Sequence, residues 1–146
     1  MNDLKLLANW LDPLLQQITP AARKKLAKEI GTALRKSQQQ RIKAQQNPDG
    51  SHFAQRKKSQ KKGRIKRKAM FVKIKRAKHL KIKASANKVS VGFFGRIARI
   101  AKVHQQGLRD KPNKNSRDIR YKKRELLGFT QKDKDMILDI LLEHLS

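Results

Sequence analysis

The sequence predicts an α+β fold with a long N-terminal helix, a small antiparallel sheet, a C-terminal amphipathic helix and mobile basic loops. Three observations predict it. Apolar residues recur at helical spacing over 20–45, two short apolar–basic alternations flank a polar link, and an amphipathic pattern occupies 130–146. At 146 residues, we expect a single domain over 1–146.

The N-terminal part, residues 1–46, is predicted to be helical. A short helix is expected over 3–11, and a long one from Pro20 to about Gln45. The turn Asn47–Gly50 ends the long helix, because proline disfavours helix in the preceding residue and Asp-Gly favours a tight turn. Basic residues of the long helix, Arg41 among them, lie mostly off its apolar stripe, which is Ala22, Leu26, Ile30, Ala33, Leu34 and Ser37.

The middle of the chain mixes a basic loop with strand patterns. Residues 55–68 contain a single aliphatic residue, Ile65, which is too little apolar area to order the segment, so we expect a mobile loop. Residues 69–79 fit a short helix or a strand, and we favour the helix. The alternating runs Leu80–Ala84 and Val89–Phe93 predict an antiparallel hairpin.

Two further helices are predicted after the hairpin. The first covers 97–104 and ends at Gly107, which completes a strand and helix core over 69–108. Residues 109–129 form a basic arm. The pattern Thr130–Asp133 resembles a capping box and begins the last helix. Its apolar face is Met136, Ile137, Ile140, Leu141 and Leu145.

The charge of the chain indicates an acidic partner. It carries 38 Lys and Arg against 11 Asp and Glu, a formal net charge of +27, and no acidic residue lies between Asp49 and Asp110. Self-repulsion at this density opposes compaction, so an acidic protein or a polyanion is expected to bind. Because basic residues release counterions when they contact phosphates, nonspecific contact with DNA is also expected. The alternative function is therefore that of a nucleic-acid-binding accessory protein.

Several protein classes are excluded by composition and motif. The absence of cysteine excludes disulfides and thiolate metal sites. No apolar run approaches the roughly 18–20 residues that cross a bilayer, and the N-terminus lacks the plan of a signal peptide. We therefore expect neither a protein secreted by a cleaved signal nor an integral membrane protein, and no contact with a membrane.

Catalytic and metal-binding motifs are also missing from the sequence. Its four histidines show no metal-ligand spacing, and the central basic stretch has no carboxylates to hold a divalent ion. Phosphate-binding, nucleophile-elbow and dinucleotide-binding glycine patterns do not occur. We expect no enzyme activity, no cofactor and no metal. His104 lies on a mostly apolar helix face, which favours a packed or interface histidine.

Five short motifs occur in a fixed order along nearly the whole chain. They are Ser37-Gln38 through Arg41-Ile42, Asn47–Gly50 with Phe53-Ala54, Val91-Gly92-Phe93, Ala98–Ile100 with His104–Gly107, and Arg124–Gly128. In this order, before a terminal amphipathic helix, they resemble the phage virion morphogenesis family, which contains the tail completion proteins (protein S) of contractile-tailed phages. One departure is that the aromatic residue after the turn is often Trp in the family, and the segment that follows is less basic.

The resemblance implies a structural virion protein of the tail end or neck, assembled in the cytoplasm of the bacterial host. It implies a protein that completes or caps the tail and prepares it for head–tail joining by binding alone. Copies are expected to form a ring, six-fold at the family level, with the long helix of each subunit packed on its sheet. The expected partners are the tail tube or tail terminator and head-side neck proteins. A third possibility, beside a phage tail protein and a nucleic-acid-binding protein, is a component of a tail-like bacteriocin particle, which has no head.

Basic residues are the candidate contacts to neighbouring subunits or partners. The loop 55–68 is expected to order against acidic surfaces of the tube or connector. Arg117, Arg120 and Arg124 are expected to pair with a neighbour's carboxylates, so replacing them with Ser should block incorporation and leave the monomer folded. The full set of candidates is Arg56, Lys57, Lys58, Arg64, Arg67, Arg96, Arg99, His104, Arg117, Arg120 and Arg124.

Overall fold

The computed structural model describes residues 17–55, 69–111 and 114–145, which contain three helices and two small antiparallel sheets. The helices are α1 (Pro20–Lys43), α2 (Arg96–Gln106) and α3 (Gln131–Leu145). One sheet pairs β1 (Leu80–Ala84) with β2 (Val89–Phe93), and the other pairs β3 (Arg109–Asp110) with β4 (Ile119–Arg120). The predicted α+β class and hairpin are confirmed. The predicted short helix over 3–11 and nearly all of the predicted loop lie outside the described residues.

The chain divides into two compact units. Among the described residues, the first unit comprises 17–35, 82–91 and 129–145, and the second comprises 36–55, 69–81, 92–111 and 114–128. Helix α1 and the β1–β2 hairpin therefore contribute residues to both units. The single domain expected from the length of the chain stays a prediction.

The core of the first unit lies between α1 and α3. Leu26, Ile30 and Leu34 from α1 form one buried cluster with Ile137 and Leu141 from α3. Burial of each such side chain contributes about 1.5–3 kcal/mol, so these five residues are a main source of stability for the unit. The predicted apolar faces of both helices are confirmed at these positions. Partly buried residues packed against the cluster are Ile18, Val89, Val91, Met136 and Ile140.

Gly31 allows α1 to approach the β1–β2 hairpin closely. A Cβ atom at this position would lie 2.6 Å from Cγ2 of Ile82 and 3.0 Å from Cγ2 of Val89. Both neighbours are β-branched, which restricts their side-chain rotation and leaves them little room to move away. The contact confirms that the long helix packs on the sheet.

Replacing Gly31 with Ala is expected to lower the free energy of unfolding by about 1–3 kcal/mol. Overpacking against the hairpin should outweigh the advantage of about 1 kcal/mol that Ala normally has over Gly inside a helix. Urea unfolding followed by circular dichroism measures the change. Thr32→Ala is the matched control at the adjacent exposed position and is expected to stay within about 0.5 kcal/mol of the natural protein. A more stable Gly31→Ala protein would contradict the close approach.

Helix α3 begins with a reciprocal capping box. The Asp133 amide donates to Oγ1 of Thr130 at 3.0 Å, and the Thr130 amide donates to Oδ2 of Asp133 at 3.0 Å. Asp133 is 1% exposed, and its carboxylate lies at the helix N-terminus, where the helix dipole favours negative charge. The capping prediction is confirmed, with Asp in the place that Glu or Gln commonly takes.

The helix favoured over 69–79 was wrong. These residues form successive turns, closed by hydrogen bonds such as the Lys75 amide to the Phe71 carbonyl at 3.3 Å and the Leu80 amide to the Arg76 carbonyl at 2.9 Å. Phe71 has a φ of 65°, a conformation that an α-helix of L-residues excludes. Its ring contacts Phe53 at a centroid distance of 5.6 Å, so tertiary packing overrides the local helical spacing.

Helix α2 ends where the sequence predicts. Gly107 has φ 66° and ψ 50°, in the left-handed region, and the Leu108 amide donates to the Val103 carbonyl at 2.9 Å. The buried face of α2 contains Ala101, Val103 and His104. Ile100, which the helical spacing assigns to the same face as His104, is 46% exposed.

The basic arm 109–129 contains a two-stranded ladder that the sequence pattern does not reveal. Its register pairs Arg109 with Arg120 and Asp110 with Ile119. We call β3 and β4 together the β3–β4 ribbon. The rest of the arm, up to Gly128, has no regular secondary structure among its described residues.

Candidate functional site

Four of the five sequence motifs meet in the second unit, around the segment Arg124–Gly128. Because this segment is in neither a helix nor a strand, its backbone groups need side-chain partners. The side chain of Gln105 makes three hydrogen bonds to the segment. Its Oε1 accepts from the Leu126 and Leu127 amides at 2.8 and 2.9 Å, and its Nε2 donates to the Leu127 carbonyl at 2.8 Å. One glutamine of α2 therefore holds two consecutive residues of the segment.

Arg41 bonds to the same segment from the end of α1. Its Nη1 donates to the Gln46 and Glu125 carbonyls, both at 2.8 Å, and its Nη2 donates to the Leu126 carbonyl at 2.8 Å. Nη2 also donates to Oε1 of Gln38 at 2.6 Å. Arg41 is 8% exposed, which corrects the assignment of this residue to the solvated side of the helix. Four oxygen acceptors stabilise the buried guanidinium.

The Asn47–Gly50 turn packs against both ends of the segment. Oδ1 of Asn47 accepts from the Glu125 amide at 2.8 Å. A Cβ atom on Gly128 would overlap Cγ of Pro48, so only glycine fits at that point without a shift of the turn. Nε2 of Gln38 donates to the Gly128 carbonyl at 2.8 Å. The turn and the segment thus fix each other's positions.

Asp49 stabilises the turn itself. The Ser51 hydroxyl and the Ser51 amide both donate to its carboxylate, which lowers the pKa of Asp49 below its ordinary value. The ionised Asp49 carboxylate therefore stabilises the folded state. This stabilisation is fully present above the pKa of an unfolded Asp, about 4, and is lost as the pH falls through the lower pKa that Asp49 has in the folded state.

Arg124 and His104, both candidate partner contacts, lie in the interior of the second unit. Arg124 is 4% exposed; its Nε donates to the Ala54 carbonyl at 2.7 Å and its Nη2 donates to the Gln55 carbonyl at 3.1 Å. Nη1 of Arg124 lies 3.4 Å from Nδ1 of His104. In this structure both side chains interact within their own chain, which corrects the expectation that Arg124 reaches a neighbour's carboxylates.

His104 belongs to a row of aromatic side chains. Its ring makes edge contacts with Phe71 and Tyr121 at centroid distances of 4.8 and 4.9 Å, and Phe71 in turn contacts Phe53. Aromatic pairs at such distances contribute about 0.5–1.5 kcal/mol beyond the area they bury. His104 therefore acts as a packed histidine within this unit, one of the two roles that its helix face predicted.

The other described candidates are exposed. Arg96 and Arg99 lie on α2, and Nη2 of Arg99 is 2.9 Å from Oδ1 of Asp110, which ties α2 to β3. Arg120 is on β4, and Arg117 precedes that strand. The structure thus brings Arg99 and Arg120 to the β3–β4 ribbon. The remaining candidates lie outside the described residues: Arg56, Lys57, Lys58, Arg64 and Arg67.

The exposed candidate positions present cationic guanidinium groups. Within 17–55, 69–111 and 114–145, no three His, Asp or Glu side chains come together in a way that suits a metal ion. No helix in these ranges has the length and apolar character needed to cross a membrane. An open groove of about 350 Å³ is lined by Met70, Ile100 and their neighbours, and its titratable lining residues are Lys73 and His104.

Comparison with known proteins identifies the family. The model of the phage virion morphogenesis family matches residues 2–146. The chain belongs to the phage virion morphogenesis family. A relative, the tail completion protein S of Escherichia phage P2, is 41% identical over 150 aligned residues that cover 100% of this chain and 99% of the relative. No solved structure shows a significant match.

In this family member, the motifs that carry the resemblance serve the structure of the chain. Gln38, Arg41, Asn47 and Gln105 all bond to the Arg124–Gly128 segment. Sequence reasoning did not find this cluster. A usable signal was present: a coil segment rich in apolar residues needs backbone partners, and the other motifs supply amide and guanidinium side chains. The motifs therefore do not by themselves mark an exposed contact surface.

Proposed function

We propose that this protein is a structural component of the virion that completes or caps the phage tail and makes it competent for head–tail joining. The observation that carries the proposal is that this chain is 41% identical to a protein named tail completion protein S and that the alignment covers 99% of that protein. The role is binding, with no chemical step. The protein assembles in the cytoplasm of the bacterial host and resides at the tail end or neck of the particle.

The mode of action that we propose is assembly into a ring, six-fold to match the tail. Neighbouring copies form the ring, the tail tube or tail terminator lies on one side of it, and head-side neck proteins lie on the other. The exposed arginines Arg96, Arg117 and Arg120 support partner binding, because exposed guanidinium groups are available for bidentate pairs with carboxylates. Such pairs fix the register between partners.

Deleting the gene from the phage or prophage that encodes the chain tests this function. Negative-stain electron microscopy of the induced lysate is expected to show full heads apart from tails, or tails of abnormal length. A plasmid copy of the natural gene is the control and is expected to restore joined particles. Intact, joined and infectious particles in the deletion lysate would contradict the proposal.

Nucleic-acid binding is the second candidate, favoured by the net charge of +27. We expect duplex DNA to bind only through counterion release, so the affinity should fall by about 10³–10⁵ between 50 and 200 mM salt. Fluorescence anisotropy with two unrelated duplexes measures this decline. Binding that survives at about 0.5 M salt would show more than nonspecific phosphate contact and would favour the accessory nucleic-acid protein.

A further inference from the structure

We propose that the β3–β4 ribbon of one copy binds the exposed face of α3 of a second copy, and that this contact builds the ring. The inference rests on the function proposed above and names the surfaces that it uses. The ribbon presents Arg109 and Arg120, the arginine pair, and the helix presents Asp135 and Asp139, the aspartate pair.

The arginine pair places two like charges directly across a ladder. Arg109 and Arg120 are register partners in the antiparallel β3–β4 pairing, and both are exposed. Directly opposed residues have Cα atoms about 4.5–5.5 Å apart, and like charges there destabilise the pairing. The adjacent carboxylate of Asp110 lies 2.9 Å from Arg99, so it is engaged with α2. A partner that brings two carboxylates would relieve the repulsion.

Helix α3 offers the complementary arrangement. Asp135 and Asp139 are exposed and one helical turn apart, on the side opposite the buried Ile137 and Leu141. Like charges four residues apart on a helix repel each other. Gln131 fixes the position of one carboxylate, since its Nε2 donates to Oδ1 of Asp135 at 3.0 Å. The face also includes an exposed apolar residue, Leu142, at 43% exposure.

The two pairs match in spacing as well as in sign. One turn of helix separates the aspartates by about 6 Å along the axis, close to the separation of the two arginine Cα atoms. Each guanidinium forms bidentate hydrogen bonds with a carboxylate, so two parallel pairs define one register. Docking relieves both like-charge repulsions at once, and Leu142 adds apolar area.

The contact joins two different surfaces and is therefore heterologous. Each copy keeps one ribbon and one α3 face for two different neighbours, and such a contact generates a closed ring when the rotation between successive copies closes. A basic ribbon also fits a groove of duplex DNA. We assign the ribbon to a second copy because the same chain carries an aspartate pair with the matching spacing.

Charge reversal in two complementary variants tests the contact. Variant A is Arg109→Glu with Arg120→Glu, and variant B is Asp135→Arg with Asp139→Arg. In each variant alone, ribbon and helix face have the same sign, and self-association is expected to weaken by about 100-fold or more. In a mixture, every ribbon meets a helix face of opposite sign if A and B alternate. The mixture is therefore expected to recover association.

The full chain is tested in the deletion strain, so that the outcome does not depend on whether free subunits associate. A alone and B alone are expected to leave heads and tails apart, and co-expression of A and B is expected to restore joined particles. Sedimentation velocity of the purified variants and their mixture measures association directly. Lys24→Glu with Lys28→Glu, an equal change of charge at exposed α1 positions, is the control and is expected to complement normally.

Three outcomes overturn the inference. The first is that A or B alone complements like the natural gene. The second is that both fold normally by circular dichroism but co-expression fails to restore particles. The third is that A alone loses duplex DNA affinity while B complements normally, which would assign the ribbon to nucleic acid. Joined particles in the deletion strain itself would instead overturn the proposed function, so the two failures are distinguishable.

Discussion

Replacing Arg41 with Ala is expected to lower the free energy of unfolding by about 3–5 kcal/mol. The guanidinium donates to the Gln46, Glu125 and Leu126 carbonyls. Its removal takes one hydrogen bond from each of these three carbonyl oxygens. Each buried polar group left unsatisfied costs about 1–3 kcal/mol. Small domains have total stabilities of about 5–15 kcal/mol, so this single change removes a large fraction.

Two further variants separate charge from geometry at Arg41. Arg41→Lys keeps the charge but lacks the planar fork that reaches several carbonyls, so most of the destabilisation is expected to remain. Lys43→Ala, at an exposed position of the same helix, removes an equal charge and is expected to change stability by about 0.5 kcal/mol or less. Urea unfolding midpoints measure all three. A loss below about 1 kcal/mol for Arg41→Ala would contradict the buried network.

Replacing Arg124 with Ser is expected to destabilise the fold by about 2–4 kcal/mol. Its side chain donates to the Ala54 and Gln55 carbonyls and lies against His104, all within the second unit. Truncation removes these hydrogen bonds from charged donors, each worth about 1.5–3 kcal/mol, and leaves a cavity beside the aromatic row.

Arg120→Ser is the matched control for Arg124→Ser, because it makes the same replacement at an exposed arginine. Arg120 is exposed on β4, so its replacement is expected to leave the unfolding midpoint close to that of the natural protein. The triple replacement at Arg117, Arg120 and Arg124, expected from the sequence to leave the monomer folded, is expected to lose about as much stability as Arg124→Ser alone, because only Arg124 is buried. Equal unfolding midpoints for Arg124→Ser and Arg120→Ser would contradict the burial of Arg124.

The elements with strong local signals were predictable from the sequence. The hairpin strands Leu80–Ala84 and Val89–Phe93 match the predicted alternation, and α3 begins at the predicted capping box. Helix α1 ends at Lys43, two residues before the predicted Gln45, because Gln45 adopts a φ of 59°. In each case the deciding information lies within a few residues of the element.

Features fixed by long-range contacts were not predictable. Residues 69–79 have helical spacing, but Phe71 is held at positive φ by ring contacts with residues far along the chain. The β3–β4 ribbon has two residues per strand, too few for an alternating pattern.

The candidate contact residues show the same division between local and long-range information. A basic residue is normally exposed, so sequence reasoning assigned Arg41 and Arg124 to the surface. Both are buried because coil segments nearby need hydrogen-bond donors. Which side chains supply those donors is determined only when the fold brings residues far apart in the sequence together. For Arg117 and Arg120, the prediction of partner contact stays a prediction.

A titration of purified protein into a lysate that lacks it tests the central claim most directly, namely that the protein acts as a stoichiometric part of the particle. Joined, infectious particles are counted as the protein is added to a fixed number of separated heads and tails. The proposed role predicts that joining rises with added protein and saturates at a fixed number of copies per tail. Complete joining by far fewer copies than tails would indicate turnover, and no joining at any ratio would indicate no such role; either result would contradict the claim.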